Sequence, residues 1–336
     1  MAINVVLTRK FFEADLKFIK NGVKNGVNII IPSDYTEESL IEYAQDADVF
    51  LGPVMSERLC KAAKHLKFIQ IPWTGVDNLN FDLIRKIGVK VCNSHSNAYA
   101  VAEHAIALMT DVSKKIAYHD RIMRHGDWNR PKPDNSNSIS PFSKKISQSN
   151  IGIIGYGHIG HIIRQYLTGF ECTFYVADIS VCERNIDNKV HYYPMDSLLE
   201  FLGKVDYVFL CVPLTTTTRN FFGERQFAAM KKDAILINTS RGEIVNENAL
   251  YAALKEKTIM GAAMDTWYNN PKNPFDTDCK PSLNNAFETL DNLVLSPHRE
   301  AMIAGELPHL QDAIMNINRT ADGLEPLNIV SVENKF

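Results

Sequence analysis

The sequence predicts an α/β protein built from two Rossmann-like, doubly wound parallel sheets. Short runs rich in β-branched residues alternate with helical patterns along the first hundred residues, and the same alternation resumes at residue 151. A stretch rich in proline, asparagine and serine, Gly126–Ser149, separates the two halves. Strands that alternate with helices over short connections form parallel sheets. The 336 residues are enough for two such domains, each with a full core.

The period of the apolar residues places the elements. Short apolar runs fit buried strands, and apolar residues spaced three or four apart fit helices. In the first half the expected strands are Ile3–Leu7, Val27–Ile31, Val49–Leu51 and Lys67–Ile71, with helical patterns over Ala14–Val23, Glu37–Gln45 and Ser56–Ala63. In the second half the expected strands are Ile151–Ile154, Thr173–Ala177, Asp206–Val212, Ala234–Asn238, Thr258–Met264 and Leu293–Leu295. Six strands in this order fit a doubly wound sheet.

Two longer helical patterns bear on the domain organisation. Ala98–Arg124 carries apolar residues at helical spacing, which predicts one long helix. Ala301–Asn318 is also helical, and we expect it to pack on the first half, because the second sheet offers it no further strand to return to. The first domain is then discontinuous, with residues 1–100 and 299–336, and residues 101–298 form the second domain.

Composition and charge narrow the class of protein. Hydrophobic residues make up 45% of the chain and charged residues 22%, values typical of a soluble globular protein. The net charge of −3 gives no basic field for nucleic acid, and no apolar run is long enough to span a membrane. The six cysteines are scattered, without a Cys-x-x-Cys pair or His clusters at metal spacing. We therefore expect a cytoplasmic protein with reduced core thiols and no metal.

A glycine-rich turn follows the first strand of the second half. Residues 151–160 read Ile-Gly-Ile-Ile-Gly-Tyr-Gly-His-Ile-Gly. In this pattern Gly155 permits the tight turn, Gly157 lets the backbone approach a pyrophosphate, and Gly160 lets the next helix pack closely on the strand. The helix begins near His158–Ile159, so its N–H groups and positive dipole end face the phosphates. The turn predicts a dinucleotide site.

Asp178 indicates which dinucleotide is bound. It lies 18 residues after Gly160, at the end of the strand Thr173–Ala177, where a carboxylate can accept hydrogen bonds from both ribose hydroxyls. The same charge repels a 2′-phosphate, and Ile179–Ser180 supply no adjacent positive charge. We therefore expect NAD rather than NADP, while Arg184 is close enough in sequence to leave NADP open.

Six further segments complete a family pattern. They are Thr74–Asn78, Asn97–His104, Cys211–Thr218, Ile237–Gly242, Gly261–Asp265 and Ser296–His298. In this order, with the glycine turn and Asp178, they resemble the D-isomer-specific 2-hydroxyacid dehydrogenases, which include phosphoglycerate, formate and phosphite dehydrogenases. The resemblance implies an NAD-dependent oxidoreductase that transfers a hydride between nicotinamide and a small D-2-hydroxy acid or 2-oxo acid. It also implies a cleft between the domains and a homodimer interface on the long helix.

Three positions carry the expected chemistry of the substrate. Arg241 follows the strand Ala234–Asn238, and its planar fork suits a bidentate grip on a carboxylate. His298 follows the last strand, where neutral imidazole can take the hydroxyl proton in oxidation and imidazolium can return it in reduction. The backbone N–H groups of Thr74, Gly75 and Val76 resemble the family's second clamp on the carboxylate.

The resemblance assigns the remaining site residues. The other cofactor-binding residues are Asp265 at the nicotinamide carboxamide, Thr239 and Ser240 at the adjoining ribose, Val212, Pro213 and Thr218 at the adenosine, and His298 itself. Asn97 is expected to face the cleft as a substrate-binding residue, although capping of the long helix explains it equally well.

Asn270 departs from the family pattern. The family places a Glu five residues after the Asp that corresponds to Asp265, and that Glu raises the pKa of the catalytic His. Here the position holds Asn270, which can orient the ring of His298 but carries no charge. We expect His298 to lose its proton at lower pH than in a typical relative, unless Glu288 or Glu300 supplies the charge instead.

Three alternatives stay open at this point. Formate dehydrogenases of this family carry an uncharged residue where Asn270 stands, which admits a formate- or phosphite-type enzyme. Arg299, directly after His298, admits a dianionic substrate if its side chain reaches the cleft. Some members of the superfamily act as corepressors, so an NAD-sensing interaction protein without turnover is the third alternative.

Overall fold

The computed structural model describes residues 3–128, 143–179, 190–271 and 277–333. The chain divides into two compact units: unit 1 comprises the residues up to Asn97 and those from Ile303 onward, and unit 2 comprises Ala98–Met302. The boundaries therefore fall at 97/98 and 302/303, where the sequence suggested 100/101 and 298/299. Arg184 and most of the stretch from Gly126 to Ser149 lie outside the described residues.

The elements alternate along the chain. The strands are β1 (Ile3–Leu7), β2 (Val27–Ile30), β3 (Val49–Leu51), β4 (Phe68–Gln70), β5 (Lys90–Cys92), β6 (Asn150–Ile154), β7 (Thr173–Ala177), β8 (Val190–Tyr193), β9 (Tyr207–Leu210), β10 (Ile235–Asn238), β11 (Gly261–Met264) and β12 (Leu293–Leu295). The helices are α1 (Glu13–Gly22), α2 (Glu37–Ala44), α3 (Glu57–Ala62), α4 (Phe81–Ile87), α5 (Ala98–Lys114), α6 (Ile116–Arg124), α7 (His158–Leu167), α8 (Leu198–Lys204), α9 (Glu224–Ala229), α10 (Glu247–Lys255) and α11 (Pro308–Ala321).

Each unit contains one parallel sheet, as the alternation predicts. Within the described residues, unit 1 has the strand order β2-β1-β3-β4-β5 and unit 2 has the order β12-β11-β10-β9-β6-β7-β8. Every pairing in the two sheets is parallel. The α/β class is confirmed, but the expected six strands of the second half are seven, because β8 was missed; β5 was missed in the first half.

Unit 1 packs helices on both faces of its sheet. One face buries Val6, Phe50 and Ile69 with residues of α2, α3 and α4. The other face buries Ile3, Val5 and Leu7 with residues of α1 and α11. The helix α11 begins at Pro308 rather than at Ala301, because proline at the first helical position suits a helix start.

Local capping explains where several helices begin. The side chains of Thr36, Ser56, Asn80 and Asn246 each accept a hydrogen bond from a backbone N–H in the first turn of α2, α3, α4 and α10. These bonds satisfy N–H groups that have no partner within the helix. At the other end of α4, Gly88 takes the left-handed conformation that stops the helix.

The single long helix expected over Ala98–Arg124 is wrong, because the structure breaks it at Lys115. That residue has a φ of 54°, and the N–H of Ala117 donates to the carboxylate of Asp111 at 2.8 Å. The first part, α5, buries residues such as Ala105 and Met109 in the core of unit 2, whereas α6 buries none of its residues. The break separates a core helix from a surface helix.

The buried face of α11 should contribute strongly to the stability of unit 1. Replacing the fully buried Ile317 with Ala removes apolar contacts and leaves a cavity, at an expected cost of about 2–5 kcal/mol in unfolding free energy. Met315 on the same helix is 39% exposed, so Met315→Ala should cost less than about 1 kcal/mol. Urea unfolding curves compare the two variants, and equal midpoints would contradict this packing.

Candidate nucleotide-binding and catalytic site

The order of strands in unit 2 fixes where a ligand can bind. The chain runs outward from β6 through β7 to β8 on one side, and from β9 through β10 and β11 to β12 on the other. The direction of winding reverses between β6 and β9, which are hydrogen-bonded neighbours. Ligands of open parallel sheets bind at the carboxyl ends of the strands beside such a reversal.

The glycine turn lies at this point, directly after β6. Gly155 has a φ of +88°, and a Cβ there would lie 2.7 Å from the carbonyl oxygen of Cys211. A Cβ at Gly160 would lie 2.6 Å from the carbonyl oxygen of Gly155. Among the described residues, by contrast, no heavy atom lies within 4 Å of a Cβ built at Gly157. The protein needs two of the glycines for its own packing, and the third keeps open space beside the turn.

The start of α7 and Asp178 frame that open space. Gly157 is the N-cap of α7, so no cap side chain competes for the first N–H groups, which begin at His158. Ile159 packs against the core of unit 2 and holds the helix on the sheet. The carboxylate of Asp178, after β7, accepts a hydrogen bond of 2.7 Å from the N–H of Tyr156. The acid is therefore fixed beside the turn.

The loops after β9 and β10 are held by side-chain hydroxyls. The hydroxyl of Thr218 donates to the carbonyl of Pro213 at 2.6 Å and accepts from the N–H of Thr215 at 2.7 Å, which closes the loop that begins at Val212. The hydroxyl of Ser240 donates to the carbonyl of Leu210, the last residue of β9, at 2.8 Å.

Arg241 follows β10 in a segment with its own internal hydrogen bonds. The side chain of Asn238 accepts from the N–H of Ser240 at 3.0 Å and donates to the carbonyl of Arg241 at 2.9 Å. Thr239, which lies between Asn238 and Ser240, is buried. Gly242 lets the backbone touch Trp267, since a Cβ at this glycine would lie 2.6 Å from the Trp267 carbonyl. The segment that carries the guanidinium is therefore rigidly placed.

Asp265 holds the loop that carries His298. The Asp265 carboxylate is fully buried after β11 and accepts hydrogen bonds from the N–H groups of Arg299 and Glu300, at 2.9–3.0 Å. The ring of His104, on α5, lies 3.4 Å from the same carboxylate and 3.0 Å from the hydroxyl of Ser296. These contacts fix His298 in a left-handed conformation with a φ of 57°.

The acid beside His298 is Glu300. Its Oε1 lies 3.3 Å from Nε2 of His298, and its side chain is 8% exposed. The amide of Asn270 instead donates to the carbonyl of Trp267 at 3.3 Å, and Glu288 forms an ion pair with Lys280 at 3.0 Å. Of the three candidates that the sequence offered, the structure brings Glu300 to the imidazole.

In unit 1 the segment Thr74–Val76 follows β4. The hydroxyl of Thr74 lies 2.7 Å from the carbonyl of Ser94 and 2.9 Å from Oδ1 of Asn97. Val76 is buried, and Gly75 is partly exposed between them. Asp312 on α11 accepts from the N–H groups at 95 and 96 at 2.6 and 3.1 Å, which fixes the loop that ends at Asn97. The side chain of Asn97 is thus tied to the segment that the sequence singled out.

Sequence reasoning missed three of the residues that shape the site. His104 and Ser296 appeared only as letters within longer motifs, yet their side chains contact each other and His104 contacts Asp265. Trp267 was given no role from the sequence, and its indole N–H donates to the carbonyl of Ser296 at 2.8 Å. Spacing along the chain carries no signal for such contacts, because they join α5, β11 and the end of β12.

The fold of unit 2 and its glycine turn define a dinucleotide-binding α/β protein. Residues 106–299, more than half of the chain, match the model of the NAD-binding domain of D-isomer specific 2-hydroxyacid dehydrogenases. The chain belongs to this family. The match also confirms the expectation that this region is an NAD-binding domain.

Relatives and solved structures agree with this assignment. The chain is 31% identical over 270 residues to the glyoxylate reductase of Korarchaeum cryptofilum. The alignment covers 78% of this chain and 76% of that protein. It is 30% identical over 275 residues to the D-3-phosphoglycerate dehydrogenase of Methanocaldococcus jannaschii. This alignment covers 81% of the chain but 49% of the relative, so the chain spans about half of that protein's length. The structure of D-lactate dehydrogenase with NAD+ from Lactobacillus jensenii matches with a TM-score of 0.78 at 25% identity, covering 98% of this chain and all of that one.

The described part of the chain contains no helix that is both long and apolar enough to cross a membrane.

The open space at Gly157 allows a test of cofactor binding that leaves folding intact. Gly157→Ala should lower the unfolding free energy by no more than about 1 kcal/mol, because the added methyl meets no described atom beyond the adjoining residues and alanine is only a poorer N-cap than glycine. The methyl should obstruct the approach of the pyrophosphate and weaken NADH binding at least about tenfold. NADH fluorescence titration and urea unfolding measure the two effects. Unchanged NADH affinity would show that the phosphates do not approach this glycine.

Proposed function

We propose that the protein is an NAD-dependent oxidoreductase that interconverts a small D-2-hydroxy acid and its 2-oxo acid. Relatives named glyoxylate reductase, glycerate dehydrogenase and D-3-phosphoglycerate dehydrogenase support a small, anionic substrate. The proposal gives Arg241 the role of carboxylate clamp and His298 the role of acid and base. It also gives the segment Thr74–Val76 and Asn97 a part in substrate binding.

One observation carries the proposal. Arg241 follows β10 and His298 follows β12, and these are the two strands that flank β11 in the sheet. Because the strands are parallel, both side chains start from the same edge as the glycine turn. A guanidinium and an imidazole at the edge that binds the dinucleotide are the groups that a 2-oxo acid requires: one for its carboxylate and one for its carbonyl oxygen.

The residues around the glycine turn fit NAD. Gly157 leaves room for the pyrophosphate, the N–H groups at the start of α7 face it, and Asp178 accepts hydrogen bonds from a ribose. The carboxylate of Asp178 disfavours a 2′-phosphate at that ribose. The adenosine then lies beside Val212, Pro213 and Thr218, and Thr239, Ser240 and Asp265 border the nicotinamide half. When bound, the nicotinamide supplies or accepts the hydride at C2 of the substrate.

The protein's own part is to bind the acid and move one proton. Arg241 holds the carboxylate by two parallel hydrogen bonds, which orients the carbonyl carbon. In reduction the imidazolium of His298 donates its proton to the carbonyl oxygen, which becomes the hydroxyl of the product. In oxidation neutral His298 takes that proton back. Because formate oxidation needs no such proton transfer, an acid beside His298 favours the hydroxy acid over formate.

We further propose a homodimer in the cytoplasm. Ile116 and Met123 on α6 are 54% and 46% exposed, and Tyr99 on α5 is 59% exposed, which supports an apolar contact between subunits.

Burial raises the pKa of the Cys60 thiol to about 11 and that of Cys92 to about 12, so these thiols stay protonated and unreactive at neutral pH. Free, protonated core thiols suit a reducing compartment.

Turnover with a panel of 2-oxo acids tests the proposed function. The wild-type protein should consume NADH with at least one small 2-oxo acid. Arg241→Gln should lower kcat/KM about 10²- to 10³-fold for that substrate, because the carboxylate loses a charged, bidentate partner. The affinity for NADH should be unchanged.

The same assay separates the proposal from its rivals. NADH binding without consumption of any 2-oxo acid supports an interaction protein that senses NAD. Oxidation of formate or phosphite alone supports the second kind of enzyme.

Asp178 should set the preference for NAD over NADP. Asp178→Asn keeps an oxygen that can accept from the N–H of Tyr156, so the turn stays intact, but it removes the charge that repels a 2′-phosphate. The ratio of kcat/KM for NADH to that for NADPH should fall about 10- to 100-fold. Steady-state kinetics with both cofactors measure this ratio. An unchanged ratio would mean that other residues read the ribose.

A further inference from the structure

Glu300 is a buried acid in contact with the imidazole of His298. The distance between Oε1 and the ring Nε2 is 3.3 Å, and the Glu300 side chain is 8% exposed. Its other oxygen, Oε2, is buried and has no hydrogen-bond partner among the described residues. A buried carboxylate is stable in its charged form only beside a positive charge or several donors. The imidazolium form of His298 is such a charge.

The backbone around Glu300 is fixed by contacts that do not involve its side chain. The N–H groups of Arg299 and Glu300 both donate to the buried carboxylate of Asp265. With His298 held at a φ of 57°, the two side chains are brought together by the conformation of the loop itself. The contact is therefore built into the fold of this loop.

The charged and titratable groups on the loop of His298, and those in contact with that loop or with Asp265, belong to three elements. Glu300 and Arg299 lie on the loop itself, Asp265 follows β11, and His104 belongs to α5. Of the two acids, Asp265 already accepts the two N–H groups of the loop, whereas Glu300 directs an oxygen at the ring. Glu300 is thus the acid placed to respond to the charge of His298.

We propose that Glu300 is the positioning residue of His298 and the counter-charge of its imidazolium, the role that the family gives to a Glu at the position of Asn270. This inference rests on the proposed function. One ring nitrogen faces Glu300, and the other exchanges the proton with the substrate oxygen. In reduction that proton passes from the imidazolium to the carbonyl oxygen of the substrate. The acid keeps His298 protonated to higher pH than a neutral neighbour would, so reduction persists further toward alkaline pH.

Three variants separate this role from simple support of the loop. Glu300→Gln keeps the shape of the side chain and removes the charge, and Glu300→Asp keeps the charge. Glu288→Gln is the matched control, since Glu288 pairs with Lys280 instead. In Glu300→Gln the pH at which kcat/KM for reduction falls should move acidic by about one unit, with about a tenfold loss at pH 8. Glu300→Asp should shift by less than half as much, and Glu288→Gln should follow the wild type.

Histidine NMR of the cofactor-free protein gives a readout that does not depend on turnover. The ring resonance of His298 is assigned by its loss in His298→Asn. In the wild type it should titrate at higher pH than a histidine in an unstructured reference peptide, and the difference should shrink in Glu300→Gln. The titration of His298 in the wild-type protein tests the proposal even if Glu300→Gln does not fold.

The outcomes distinguish the two proposals. If no 2-oxo acid is turned over but the His298 resonance behaves as described, the pair exists and the proposed function fails. If turnover occurs and Glu300→Gln matches the wild type in both pH profile and NMR titration, the role of Glu300 is overturned and the proposed function stands. A wild-type His298 resonance that titrates at or below the pH of the reference peptide also overturns the role of Glu300.

Discussion

The buried carboxylate of Asp265 is the constraint on which the candidate site of unit 2 depends. It has no exposed surface, and it accepts hydrogen bonds from the backbone N–H groups of Arg299 and Glu300. The ring of His104 lies 3.4 Å from the same carboxylate. Hydrogen bonds to a charged acceptor in a low dielectric are the strong ones, and losing them leaves a buried charge unsatisfied. The loop after β12 is therefore held in one conformation, and that conformation sets the position of His298 and of Glu300.

The parallel order of the strands brings the other candidate residues of unit 2 to one edge of the sheet. Each candidate residue of unit 2 belongs to a segment that follows a strand. The segments begin at Gly155 after β6, Asp178 after β7, Val212 after β9, Thr239 after β10, Asp265 after β11 and Ser296 after β12. Since the carboxyl ends of parallel strands share one edge, a chain that alternates strand and helix brings these segments together by its winding alone. The sheet supplies the location, and the loops supply the chemistry.

What the sequence predicted and what it missed have physical reasons. The glycine turn, Asp178 and most strands were predictable, because each depends on the residues of one short segment. The strands β5 and β8 were missed, because β5 has only two apolar residues beside a lysine and β8 is mostly polar or aromatic. Each therefore depends on a neighbouring strand for its formation. The break at Lys115 was missed because a lysine seldom adopts positive φ, and the bond from Ala117 to Asp111 decides it. Likewise, only the loop conformation reveals that Glu300, rather than Asn270, lies at His298.

The left-handed backbone of His298 has a consequence for heat resistance. An L-residue in this conformation carries about 1–2 kcal/mol of strain, which glycine would relieve and asparagine would reduce. Selection for survival at high temperature alone would therefore favour glycine or asparagine at this one position, and neither carries an imidazole. Durability and the proposed proton transfer thus oppose each other at a single residue, and improvement of the protein's thermal tolerance has to be sought elsewhere in the chain.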